Sequence, residues 1–264
     1  MYLPGPVVLW RLAKMGAQVI RIESESGDGL ERFLPELYDK LSEGQKIVRL
    51  DLRQKEKWEP FLKDADILIS SLRPRSLERL GLTSDAMKER FPNLSYLSIV
   101  GFGGKDENWS GHDLTYQASK GFVSPPQLPF NCWSDMAGAQ EAIIQALLLI
   151  HCAQNGKPGT AQVSLSDSLD FFALPMDYGL VGSQGILASD IPVYQVYEAK
   201  EGWVAIATLE PHFQEKFKEK ADVSDMTSDT LKELFTKKSA DEWENWAKAH
   251  DLPVAKVRTR PELK

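Results

Sequence analysis

Three observations predict an α/β fold for this 264-residue chain. Short runs rich in Val, Ile and Leu alternate with helix-period segments through the first two thirds, the pattern of βαβ units and of a mainly parallel sheet with flanking helices. A long helical repeat of small and apolar residues follows. Beyond about residue 185 the texture changes to a hairpin and polar helices, which predicts a smaller α+β domain. The expected division is a large domain over 1–185 and a small one over 186–264.

The elements are justified in order. Residues 7–15 read as a helix closed by Gly16, a residue suited to a helix C-terminus. Residues 17–23 and 46–52 are strands. Residues 55–63 are helical, with Pro60 either a kink or the true start. Residues 65–70 (ADILIS) form a buried-type strand, 84–91 a helix stopped by Pro92, and 94–102 (LSYLSIVGF) a further strand. Ala139, Ala142, Ile143, Ala146, Leu147 and Ile150 repeat at helical spacing, and Leu148 and Leu149 widen the apolar surface, so this helix is expected to be buried on most sides. It ends near Asn155-Gly156. Residues 162–165 are strand-like and 169–174 helical. Residues 193–198 and 203–208 flank Ala199-Lys200-Glu201-Gly202 as an antiparallel hairpin. Helices over 228–237 and 240–250 and a short strand over 254–257 complete the chain. The run 214–222 is expected to be a solvated helix face.

Composition narrows the function. Apolar residues make up 42% and charged residues 26%, as in ordinary globular proteins. The longest unbroken apolar run, 146–150, is too short to span a bilayer. The first residues show no basic segment followed by an apolar one, so no membrane partner and a cytoplasmic location are expected. Two cysteines make no disulfide framework and no Cys/His spacing suits a metal. The net charge of -7 disfavours nucleic acid but allows one anionic small molecule on a local arginine cluster.

Three segments place ionisable groups where a loop enters a helix: Gly111-His112-Asp113, Ser134-Asp135-Met136 and Leu209-Glu210-Pro211. Asp135 just before a long helix would cap its free N–H groups. The same placement orients a carboxylate as base or nucleophile. His112 supplies an imidazole, a group whose ordinary chemistry suits reversible proton transfer, while its neighbour Asp113 would cap the helix after it. Glu210 precedes Pro211, a residue favoured in a first helical turn. Arg73, Arg75 and Arg79 follow the strand ending at Ser70, where α/β folds bind ligands, and arginines there pair with phosphates. The bland reading of that cluster is a solvated charged surface. No phosphate loop, nucleophile elbow or zinc helix motif is present.

In this order the segments resemble the family III CoA-transferase and α-methylacyl-CoA racemase (CaiB/BaiF) superfamily. The resemblance runs through Leu3-Pro4-Gly5-Pro6, residues 12–23 (LAKMGAQVIRIE), Gly27-Asp28, Leu50-Asp51-Leu52, Arg73-Pro74 with residues 77–82 (LERLGL), residues 98–103 (SIVGFG), Gly111-His112-Asp113 and residues 159–168 (GTAQVSLSDS). Against that pattern both termini are shortened, and Ser24-Glu25 replace a basic residue. The resemblance implies an acyl-CoA thioester as substrate, with coenzyme A part of it and no separate cofactor, and an interlocked homodimer. It implies proton transfer at the α-carbon by His112, Asp135 and Glu210 in a racemase, or an acyl anhydride on Asp135 in a CoA-transferase. It implies coenzyme A binding at Arg79 and, less directly, Lys46. His112 favours the racemase reading, since CoA transfer through Asp135 does not need it. A non-catalytic CoA-binding or dimer-partner protein is the third reading.

Overall fold

The computed structural model describes residues 3–182, 185–188 and 190–263. The chain divides into two compact units, residues 1–173 and 174–264. The division lies earlier than the boundary composition suggested. Ile186 N–H donates to the Gly179 carbonyl and Leu187 N–H to that of Leu180, and no change of composition marks the division after residue 173.

The first unit runs α1 (Pro4–Lys14), β1 (Val19–Glu23), α2 (Gly29–Phe33), α3 (Pro35–Ser42), β2 (Gln45–Arg49), α4 (Lys55–Leu62), β3 (Ile67–Ser70), α5 (Pro74–Leu80), α6 (Ser84–Arg90), β4 (Ser95–Val100), α7 (Asp113–Ser119), α8 (Trp133–Gln154) and β5 (Thr160–Ser164), with α9 (Leu169–Asp177) crossing the division. All its strand pairs are parallel. β1 pairs with β2, and β4 sits between β3 and β5, with Leu97 opposite Ile69 on one side and Ala161 on the other. Every residue of β4 is buried, as a central parallel strand covered on both faces requires.

Helix starts account for most departures from the sequence reading. α1 begins at Pro4 rather than residue 7, because proline suits a first turn whose N–H groups have no acceptor. α4 begins at Lys55 and runs through Pro60. α2, α3 and α5 are short, and their start signals lie within loop-like sequence. α8 begins at Trp133, six residues before the apolar repeat that revealed it. It packs on α1, β3, β4, α7 and β5, and Ala139, Ala142, Ala146 and Leu149 join Val8, Leu12, Leu97, Ile99 and Val163 in one core. Its other side is open. Ile144, Leu147 and Leu148 are exposed, so α8 is not buried on most sides. By length and composition α8 is the one helix among the described residues able to cross a membrane, and a third of its apolar stretch is buried within the unit.

The second unit holds β6 (Tyr194–Glu198), β7 (Trp203–Ala207), α10 (Pro211–Ala221), α11 (Ser228–Phe235), α12 (Ala240–Ala249) and β8 (Val254–Lys256). β6 and β7 form the expected hairpin, closed by the Ala199 N–H on the Gly202 carbonyl, with Gly202 at φ 81°, a left-handed angle that favours glycine. β8 pairs antiparallel with β7. Phe217, Leu231, Phe235, Trp243 and Val254 share a core with Val204 and Ile206. The charged run over 214–222 is therefore not wholly solvated, because Phe217 within it is fully buried.

Candidate active site

The start of α8 is fixed from two sides. The buried Ser134 hydroxyl donates to the Leu165 carbonyl at 2.8 Å. A Cβ on Gly138, one turn on, would meet the Leu165 backbone Cα at 3.2 Å and its side chain more closely still, so glycine lets the helix lie against the end of β5. From the other side, the Asp135 backbone N–H donates to Oδ1 of Asp113 at 3.0 Å. Cys132 is the N-cap, without a side-chain cap bond. Asp135 thus lies inside the first turn and does not cap the helix; the cap position falls three residues earlier.

Asp135 is half-buried, and its carboxyl is pushed up to about 7, first by burial and then by the charge of Asp113. A helix N-terminus favours an anion by about 0.3–1 kcal/mol. Here desolvation and a like charge outweigh it. Burial likewise raises the neighbouring Cys132 thiol, and the charges of Asp113 and Asp135 raise it further. The thiol is therefore no thiolate nucleophile near neutral pH.

His112 is the N-cap of α7 and is exposed. Its backbone N–H donates to Thr115 Oγ1 at 3.0 Å, and the Thr115 hydroxyl donates to the His112 carbonyl at 2.7 Å. It lines a cavity of about 60 Å³ with Arg73, Gly101, Trp109, Tyr116 and Leu165 among the walls. Phe102 backs this wall, stacked on Trp109 at 4.4 Å and edge-on to Tyr116 at 4.9 Å between ring centroids. A Cβ on Gly101 or Gly111 would collide with the Tyr116 ring, which explains a glycine immediately before His112. Asp135 is not among the residues lining this cavity. The two helix starts meet instead through Asp113, the residue after His112.

The sequence reading singles out Asp113 and misses Gln117. The signal was their i, i+4 spacing. Gln117 is fully buried, and its amide donates to Asp113 Oδ2 at 2.5 Å and to the Asn131 carbonyl at 2.8 Å.

Glu210 belongs to the second unit. It is the exposed N-cap of α10, with Pro211 at the first helical position as expected and no side-chain cap bond. The basic residues spread more widely than one patch. Arg73 caps α5 and donates to Ser110 Oγ at 2.9 Å. The Arg75 backbone N–H donates to Asn108 Oδ1, and the Arg79 guanidinium donates to Ser76 Oγ. Lys46 lies on β2, over the Phe61 ring. All four are exposed, and none enters an ion pair among the described residues, so their charge is available to an anion. Among the described residues no three His, Cys, Asp or Glu side chains gather as a metal site requires.

Comparison with known proteins identifies the family. The mouse α-methylacyl-CoA racemase is 27% identical over 80% of this chain and 60% of its own length. The cinnamoyl-CoA:phenyllactate CoA-transferase of Clostridium sporogenes is 25% identical over 99% of this chain and 76% of its own. A crystal structure of a hypothetical protein from Mycobacterium tuberculosis superposes with a TM-score of 0.82 at 23% identity, covering 100% of this chain and 82% of that one, and supports the fold. The family model for CoA-transferase family III matches residues 1–263, and the chain belongs to that family.

Proposed function

We propose that this chain moves the α-proton of a 2-methylacyl-CoA-type thioester in the manner of the racemase. The observation that supports this best is the Asp135 carboxyl, held near neutrality at the start of a helix joined through Asp113 to the helix start that carries His112. A group titrating near the working pH both takes and returns a proton efficiently. One of the pair removes the proton from the α-carbon and the other returns it on the opposite face. The enolate oxygen needs donors as charge develops on it. Asp135's own N–H is already given to Asp113, so the donors assigned from α8 are the first-turn N–H groups of Trp133 and Ser134, which have no intrahelical acceptor. The unpaired cations Arg73, Arg75, Arg79 and Lys46 serve the phosphates of coenzyme A. Glu210 is assigned to the proton-transfer set by the family resemblance alone.

The second reading is CoA transfer, in which Asp135 attacks the thioester as nucleophile. It is favoured by the phenyllactate enzyme, named as a CoA-transferase and aligned over 99% of this chain. Incubation with an α-branched acyl-CoA in D2O separates the two. Deuterium at Cα is the expected result. Its absence, with coenzyme A appearing on an added free acid, rejects proton transfer in favour of CoA transfer. A cytoplasmic homodimer without nucleic-acid or membrane partners is proposed alongside, on the net charge of -7 and the open apolar side of α8.

A further inference from the structure

Asp113 does not cap α7 as its sequence position suggested: His112 is the N-cap, Asp113 is the first helical residue, and its carboxylate is turned to other partners. Each carboxylate oxygen has one committed donor: the backbone N–H of Asp135 on Oδ1 and the Gln117 amide on Oδ2. The Gln117 amide has no freedom to turn. Both neighbours of its nitrogen, Asp113 and the Asn131 carbonyl, accept, and the side chain is fully buried. Asn131 also accepts, through Oδ1, the N–H of Cys132 at 2.9 Å. One buried amide therefore holds both Asp113 and the loop that feeds the first turn of α8.

We propose that Asp113 is the positioning residue of Asp135: fixed by Gln117, its carboxylate clamps the first turn of α8 and sets the protonation state in which Asp135 meets substrate. The proposal rests on the reading of Asp135 as the working acid or base. After burial, the charge acting most on Asp135 is that of Asp113, which raises its carboxyl, and the chain's amino terminus lowers it by less. β3 and β5 carry no ionisable side chain. On β4, Tyr96 donates its hydroxyl to the Leu82 carbonyl. On α1, Lys14 pairs with Glu43, and Arg11 is exposed. α7 brings Tyr116 and, at its cap, His112, while Cys132 caps α8 itself. The like charge raising Asp135 is that of Asp113.

Two variants, compared with each other, separate clamping from charge. Asp113→Asn keeps an oxygen for the Asp135 N–H and removes the charge, but sets its own NH2 against the Gln117 amide and so loses the Gln117 bond as well. Gln117→Leu loses that bond with the charge kept, so the difference between the two variants is the charge. The Asp135 carboxyl is followed by ¹³C NMR titration, its amide by hydrogen exchange, and α-deuteration of 2-methylacyl-CoA over the same pH range. In Asp113→Asn, the Asp135 midpoint is expected to fall by about one pH unit, with the pH-rate profile moving the same way. In Gln117→Leu, amide exchange at Asp135 is expected to speed by about tenfold. An unchanged midpoint in the first variant, or unchanged exchange in the second, overturns the proposal even where the wild type deuterates substrate. If instead the midpoint falls and exchange quickens while the wild type deuterates nothing, the coupling stands and the acid/base reading of Asp135 fails.

Discussion

The Ser134 hydroxyl and the Leu165 carbonyl, 31 residues apart and both buried, are joined at 2.8 Å, so the first turn of the long helix is bolted to the segment leaving the last parallel strand. The bolt works because Gly138 lets the same segment press on the helix one turn later. Gly138→Ala places a methyl group against Leu165 Cα and is expected to cost about 1–3 kcal/mol, as overpacking does. Ser134→Ala removes the buried donor and is expected to cost about 1–3 kcal/mol. Urea melts at constant pH check both. Wild-type midpoints in both variants would show that this contact does not fix the helix start.

Asp135 makes stability depend on pH with a definite sign. Its folded carboxyl sits near 7, above the ordinary value of 3.8. Between those values the folded state binds more protons than the unfolded chain, so the contribution of Asp135 to stability falls as pH rises from about 4 to about 7. Asp135→Asn removes the charge that must be buried above that window. The variant is expected to exceed the wild type at pH 8 by on the order of a few kcal/mol more than at pH 4. Thermal melts at the two pH values test this, and a difference from wild type that is the same at both contradicts it.

Much of this fold was readable because buried parallel strands leave unbroken apolar runs and helices leave a 3.6-residue repeat. β3, β4 and the β6–β7 hairpin lie where such runs were found. The site was readable only as parts. His112 and Asp135 were singled out by residue type, but the apolar repeat of α8 starts at Ala139, so nothing periodic showed that Asp135 was already inside the helix. Asp113 looked like a cap because a cap and a clamp use the same side-chain oxygen. Its second partner, the Asp135 N–H, lies 22 residues away, and no local pattern encodes such a bond. The open side of α8 escaped for a related reason: Leu147 and Leu148 read as core, because sequence records hydrophobicity and not what covers it.

The four unpaired cations make coenzyme A binding salt-sensitive if they meet its phosphates. Arg79→Ala is expected to weaken coenzyme A binding roughly tenfold, the loss of one charge-assisted contact. Titration calorimetry at two ionic strengths should show a smaller salt dependence in the variant than in the wild type. Equal affinity and equal salt response would remove Arg79 from the binding surface.

The exposed side of α8 predicts the state of association. Ile144, Leu147 and Leu148 stand 47%, 41% and 54% exposed in the single chain, on a helix whose opposite side is core. Apolar side chains gathered on one helix face mark an interaction surface, and a second copy of the chain is the proposed cover. A glutamate at the centre of such an interface buries an unpaired charge, which costs several kcal/mol and is enough to separate a dimer at micromolar concentration. Leu148→Glu is therefore expected to give a folded monomer by light scattering where the wild type gives a dimer. The circular dichroism of the variant should stay helical, because Leu148 itself lies outside the buried core. A wild-type protein that is already monomeric at that concentration would reject the dimer and leave the apolar side of α8 to some other partner.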